Sequence, residues 1–298
     1  MAEVVSPTVA RRRVRLTLRE AREAAEFTQQ QVAEEMEWSL SKVIRIENGD
    51  VSISPNDLRP LLNYLGIRDR AQIAAMIADA KIARTRQHVS WWQRPEFRGL
   101  GDPLHKFIEY EAVATAIRGY YIRYLPGPLQ LPEYATALTG SFDEIPHDRL
   151  DMLLEARQLR RTALLSRLGS LKFYLVLDES VFMRTTGGPI VFAAQLRELQ
   201  RLAEQDLIRL RMLPFDLDTP IANNASFDLL DLGDGDEGSQ VLYRENGLTD
   251  ELIEDKESTS RHLARFTQLW DVATDESDTI EFIKRRTASL ESTVTNGE

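Results

Sequence analysis

Residues 28–49 read TQQQVAEEMEWSLSKVIRIENG, and their spacing decides the first half of the fold. Thr28 is a helix N-cap, followed by Val32, Ala33 and Met36 on one helical face. Ser39 repeats the signal for a second short helix that carries Val43 and Ile46 inward. Asn48-Gly49 stops that helix, because glycine accepts the left-handed conformation that ends helices. Two short helices joined by a tight turn suit a DNA major groove about 12 Å wide. The outer face of the second helix holds Leu40, Ser41, Lys42 and Arg45, a mostly polar, basic surface of the kind that base edges and phosphates require.

Working outward, a helix from about Val14 to Ala25 precedes this pair. Ser54-Pro55-Asn56-Asp57 then opens another, with Leu58, Leu61, Leu62 and Leu65 inward. A fifth begins near Asp69 and runs through AQIAAMIADAKIA. Residues 1–82 are therefore expected to form an all-α, five-helix helix-turn-helix domain. Residues 83–95 lose helical periodicity and are assigned to a linker. Residues 96–287 are expected to form an α+β domain with a small, mostly antiparallel sheet. In it 107–117 (FIEYEAVATAI), 149–168, 189–205, 262–273 and 278–290 read as helices. Residues 171–180, 208–215, 226–232 and 239–246 read as strands. Residues 288–298 are expected to be a disordered tail.

The 298 residues are 43% hydrophobic, enough for packed cores, and carry a net charge of −10. The chain has no cysteine, which removes disulfides, thiol catalysis and Cys-ligated zinc, and fits a reducing, cytoplasmic compartment. The N-terminus MAEVVSPTVARRRV has no apolar core of a secretory leader, and no apolar run approaches the ~20 residues that span a bilayer. Charge is uneven. Residues 1–88 hold 14 Lys and Arg against 12 Asp and Glu, with six Arg and one Glu in 11–22. Residues 216–298 hold 7 against 20. An acidic chain still binds nucleic acid if one domain presents a basic face, and the asymmetry places that face at the N-terminus.

Residues 14–66 resemble the lambdoid-repressor-like, Xre-type helix-turn-helix domain. The resemblance rests on Arg22, Thr28-Gln29, Val32-Ala33, Val43, Ile46-Glu47 and Asn48-Gly49. It implies an Arg22–Glu47 pair and phosphate contacts from Gln29, with its neighbour Gln30, and from Asn48. It implies base readers at Ser39, Leu40, Ser41 and Arg45, with Lys42 beside them. Leu40 stands where glutamine is frequent, so a thymine methyl replaces adenine as its expected contact. Trp38 stands in the turn where smaller apolar residues are usual. Residues 90–285 resemble a domain of unknown function attached to Xre-type regulators of actinobacteria, including WhiJ-like and antitoxin-like regulators. FIEYEAVATAIRGYY, LPGPLQLPEYA, EARQLRRTALL and VLYREN carry that resemblance. It implies a regulatory domain that works with a small protein encoded nearby.

Other motifs carry less. GDGDEG at 233–238 matches a phosphate-loop pattern but leads into a strand and holds three acids, so it reads as a hairpin turn. The four histidines are isolated, so neither a metal site nor a cofactor is expected. Asp178-Glu179 reads as a strand-end cap rather than a catalytic pair. Arg157 and Arg161 share a helix face suited to an anion or an acidic surface. Trp91-Trp92 reads as a packing element at the domain boundary. Trp91, Trp92, Pro126, Gly127, Gln130, Tyr134, Arg157, Arg161 and Glu179 are the candidates for partner or ligand contact. The expected function is sequence-specific regulation of transcription by a non-enzymatic repressor, homodimeric on a palindromic DNA operator. An enzymatic or small-molecule-sensing second domain is the alternative.

Overall fold

The computed structural model describes residues 5–85, 90–140, 146–217, 225–233, 239–245 and 249–295. The chain divides into two compact units, 1–88 and 89–298.

The first unit holds α1 (Pro7–Ala24), α2 (Gln29–Glu35), α3 (Leu40–Asn48), α4 (Pro55–Tyr64) and α5 (Arg70–Ala83). Each begins at a side-chain oxygen that accepts a backbone N–H of the first turn: Ser6, Thr28, Ser39, Ser54 and Asp69 in order. Such a cap contributes about 1 kcal/mol and sets where the helix starts. Ser6-Pro7 therefore starts α1 seven residues before the expected Val14. The inward stripes of the five helices meet at Leu18, Val32, Ala33, Val43, Ile46, Leu58, Leu62 and Ile77. The turn between α2 and α3 places Glu37 at φ +55°, a left-handed residue without glycine's freedom. The Trp38 N–H closes that turn on the Ala33 carbonyl at 2.8 Å, and its ring packs on the core.

The second unit adds α6 (Asp102–Glu111), β1 (Ala116–Tyr121), α7 (Pro132–Thr139), α8 (His147–Leu165), β2 (Lys172–Asp178), α9 (Glu179–Met183) and α10 (Gly188–Glu204). There follow β3 (Arg209–Leu213), β4 (Phe227–Asp231), β5 (Gln240–Glu245), β6 (Asp250–Ile253), α11 (Lys256–Val272) and α12 (Glu276–Thr295). One six-stranded sheet runs in the order β3-β2-β1-β4-β5-β6. The β1–β2 and β2–β3 pairs are parallel and the other pairs antiparallel, so the sheet is mostly antiparallel. Its parallel half needs long crossovers, which contain α8 and α10. Tyr120, Val176, Leu229 and Leu242 cover one face and pack on Phe266 and Leu269 of α11. Alternation sends Gly119, Tyr121, Asp228, Tyr243 and Glu245 to the other face, where Phe107 of α6 stacks on Tyr243 at 4.3 Å.

Three expectations change. The helix expected over 107–117 ends at Glu111, and residues 116–121 are the central strand β1. Arg167 donates to the Glu111 and Ala114 carbonyls at the helix end, and Thr115 begins pairing by donating to the Asp231 carbonyl at 2.8 Å. The tail expected to be disordered from 288 continues α12 to Thr295, because Leu290 is buried and Glu291 pairs with Arg197 at 2.7 Å. Within the stretch assigned to a linker, Trp91–Gln93 form a 3-10 turn belonging to the second unit. The turn expected within 233–238 falls mostly outside the described residues, although β4 and β5 on either side pair antiparallel. Among the described residues, no helix is long and apolar enough to cross a membrane.

Candidate nucleic-acid interface and a polar cavity

Glu47, in the last turn of α3, is only 6% exposed. Its two oxygens accept Nε of Arg22 at 2.6 Å and a terminal nitrogen of Arg22 at 3.0 Å, a forked pair from α1 to α3. The Gln29 amide donates a third bond to Glu47 at 2.8 Å. Arg22 also donates to the Phe27 carbonyl at 3.0 Å, tying the α1–α2 corner. The Glu47 hydrogen bond holds the Arg22 guanidinium above its ordinary pKa, against the opposing effect of burial. This cluster ties α1, α2 and α3 together; the Arg22–Glu47 pair is the one the resemblance implies, whereas the Gln29 amide, expected on phosphate, faces Glu47. Gly49 ends α3 at φ +80°, and a Cβ there would meet Cδ and Nε of Arg15 at 2.9 Å.

The remaining residues with expected DNA roles separate by accessibility. Leu40, Ser41, Arg45 and Asn48 are exposed along α3. The Ser39 hydroxyl caps α3, and the Gln30 amide donates to Glu34 at 2.8 Å. Lys42 is held more firmly than expected: its ammonium lies 3.2 Å from Asp57 and 3.8 Å from the centre of the Trp38 ring. The arginine-rich run 11–22 is not simply a solvent face, since Arg12 and Arg15 are buried and Arg22 serves Glu47.

In the second unit the candidates do not form one site. Tyr134 is buried in the core and stacks near Phe192. Glu179 accepts the Phe215 backbone N–H at 2.8 Å, a structural tie. Trp91 and Trp92 meet edge to face and pack with Phe97 and Ile108. Arg157 and Arg161 part company although they share a helix. Arg161 is committed to Glu198, whereas Arg157 lines a cavity with Gly127 and Gln130 of the proline-glycine loop. Pro126 opens the 3-10 turn that places these two.

That cavity encloses about 70 Å³. Its polar wall includes Tyr121, Tyr124, Arg157, Arg160, Asp228 and Glu245; Leu104, Phe107, Ile108 and Leu153 give an apolar side. Arg160 forks onto Glu111 at 2.8 and 3.0 Å; burial opposes its charge, but the carboxylate outweighs that and raises its pKa. Tyr124 donates to Glu245 at 2.8 Å, and burial followed by the Glu245 charge raises its hydroxyl pKa. Tyr121 donates to Asp228 at 2.5 Å. Burial pushes the Asp228 carboxyl up to about 7, against the pull of that bond. Gly119 makes the pair possible, since a Cβ there would meet the Tyr121 ring at 2.8 Å and Asp228 at 3.0 Å. Neither Asp228 nor the tyrosines stood out in the sequence. The available signal was a carboxylate inside the apolar run SFDLLDL, and it is ambiguous until the strand's partners are known.

Comparison with known proteins adds a family. Residues 104–285 match the domain of unknown function DUF5753. The chain belongs to the DUF5753 family. Residues 13–76 of this DUF5753 protein match a helix-turn-helix domain, and that match supports DNA binding by the first unit. No curated protein and no solved structure matches the chain. The matched DUF5753 segment contains the sheet, α8 and nearly all the cavity, with only Leu100 outside it.

Proposed function

We propose that the chain is a sequence-specific transcriptional repressor of the Xre type, cytoplasmic and nucleoid-bound, whose second unit is regulatory rather than catalytic. The observation that carries this is the α2–turn–α3 pair. Its inner side is locked by Arg22, Gln29 and Glu47, and its outer side presents Leu40, Ser41 and Arg45. Rigid support behind an accessible polar face is what groove reading requires. One such unit reads too few base pairs for specificity, so a homodimer on half-sites about one helical turn apart is expected. Selection from a random duplex library, with sedimentation of the complex, tests this. Enrichment of a palindrome bound by two chains supports it; no enrichment, or a single bound chain, overturns it.

Arg45 and Lys42 are expected to differ in kind. Loss of Arg45 should cost roughly 1–3 kcal/mol on the selected site and relax preference at one position. Loss of Lys42 should weaken all sequences alike and lower the salt slope by about one. Anisotropy titrations on selected and random duplexes at several salt concentrations separate the two.

For the second unit, the sequence resemblance favours a small protein partner, as in antitoxin-like regulators. The cavity is a specific observation in favour of a small molecule instead, because a concave pocket with an apolar side and a few convergent polar groups suits a small ligand. Native mass spectrometry of the purified full chain decides between a bound protein and a bound metabolite.

A further inference from the structure

The cavity beneath the Pro126–Gln130 turn contains two unmet polar atoms of opposite kind. Gln130 is 3% exposed, and its Nε2 donates to the Leu125 carbonyl at 2.7 Å. The atom facing a carbonyl must be the amide nitrogen, so the amide orientation is fixed. Its Oε1 is then left buried with no hydrogen-bond partner among the described residues. Nη1 of Arg157 is likewise buried and unpartnered. No carboxylate of a described residue lies within ion-pair distance of Arg157, in contrast to Arg160 and Arg161 on the same helix. Leaving a buried acceptor and a buried cation unmet is costly, more so for the charged group.

The geometry points to a site for a small zwitterion with an apolar body, an α-amino acid in chemical class. Its carboxylate would meet Arg157, its ammonium would meet Gln130 Oε1 and Glu245, and its body would lie against Leu104, Phe107, Ile108 and Leu153. The charges balance in this arrangement. Arg160 is neutralised by Glu111, which leaves Arg157 to take an anion and Glu245 to take a cation. A simple carboxylate would satisfy only the first, and a simple amine only the second. The size suits a small ligand: 70 Å³ holds roughly five to seven water-sized positions, at about 10–15 Å³ for each. Gly127 belongs to the same wall, where a Cβ would approach Arg160 Nη1 at 3.4 Å.

The proposal rests on the regulatory reading of the second unit, and its test separates the two. Isothermal titration of the full chain, free of DNA, uses L-valine and L-leucine beside two analogues of leucine. The 2-hydroxy acid analogue lacks the ammonium, and isoamylamine lacks the carboxylate. Binding of either amino acid, with both analogues at least tenfold weaker, supports the site. No binding by either amino acid, or amine binding as tight as the zwitterion's, overturns it. Arg157→Met and Gln130→Met should each weaken amino-acid binding at least tenfold. Among the described residues Arg157 makes no close ion pair, although the Glu245 charge acts on it from a distance; the first variant should therefore still fold, and unchanged affinity in that folded variant also overturns the proposal. Operator affinity is then measured with and without the bound amino acid. If binding occurs but operator affinity does not move, the ligand site stands and the regulatory reading falls.

Discussion

Replacing Glu47 with alanine is expected to destabilise the first unit by about 3–5 kcal/mol, because it strands a guanidinium in a nearly closed setting. Arg22 is 12% exposed at its side chain and gives two of its nitrogens to Glu47. The Gln29 amide loses its acceptor in the same substitution. Such a loss is a large share of the 5–15 kcal/mol that holds an ordinary domain together. Glu47→Gln should cost less, since it keeps the volume and an acceptor oxygen but removes the charge. Hydrogen exchange of amides in residues 7–83, read in the full chain, checks both variants. Unchanged protection in Glu47→Ala would show that the fork contributes little. The same measurement should show the second unit unaffected.

The second large effect is a dependence of stability on pH that belongs to Asp228. An unfolded aspartate releases its proton near pH 4, whereas the folded carboxyl holds it up to about 7. Below pH 4 both states are protonated and the group contributes no difference. Between about 4 and 7 only the folded state keeps the proton, so stability falls as pH rises, by about 1.4 kcal/mol per pH unit. Above about 7 both states are ionised and the loss levels off near 4 kcal/mol. Asp228→Asn removes the titration while keeping an acceptor for the Tyr121 hydroxyl. The variant should therefore gain on the natural chain steadily from pH 5 to pH 7.5. Urea unfolding of the second unit at closely spaced pH values measures the gap. Parallel profiles would show that the carboxyl is ionised throughout.

The sequence made the first unit plain because its signals are local. Thr28, Ser39, Ser54 and Asp69 cap helices within three residues of themselves, and Asn48-Gly49 stops one. Even Arg22 and Glu47, 25 residues apart, are legible as a pair, through family likeness rather than through spacing. The second unit was readable only in part. Strands β2 to β5 showed through their alternation, but β1 hid behind a helical run because Gly119 and Arg118 blur its pattern. The cavity was the least visible feature. Its lining comes from positions as far apart as Leu100 and Glu245, and no short motif joins residues that meet only after the sheet has formed. Gly127, Gln130 and Arg157 were singled out, yet the reason they belong together is Asp228 and Glu245, which no local pattern announces.

The position of β1 in the sheet has a consequence for how the chain is made. Gly119 sits opposite Leu175 on one side and opposite Asp228 on the other. A ribosome adding about 5–20 residues per second delivers the second of these neighbours roughly 5–20 s after β1 has left the tunnel. The first unit waits less, since α1 meets its last partner, α5 (Arg70–Ala83), within the same short unit. Nascent chains should thus carry a finished N-terminal unit tethered to a half-built sheet. During that interval AIRGYY shows an open edge, the kind of surface that invites pairing with another chain. Dependence on holdase chaperones should accordingly concentrate in the window between synthesis of β2 and synthesis of β4.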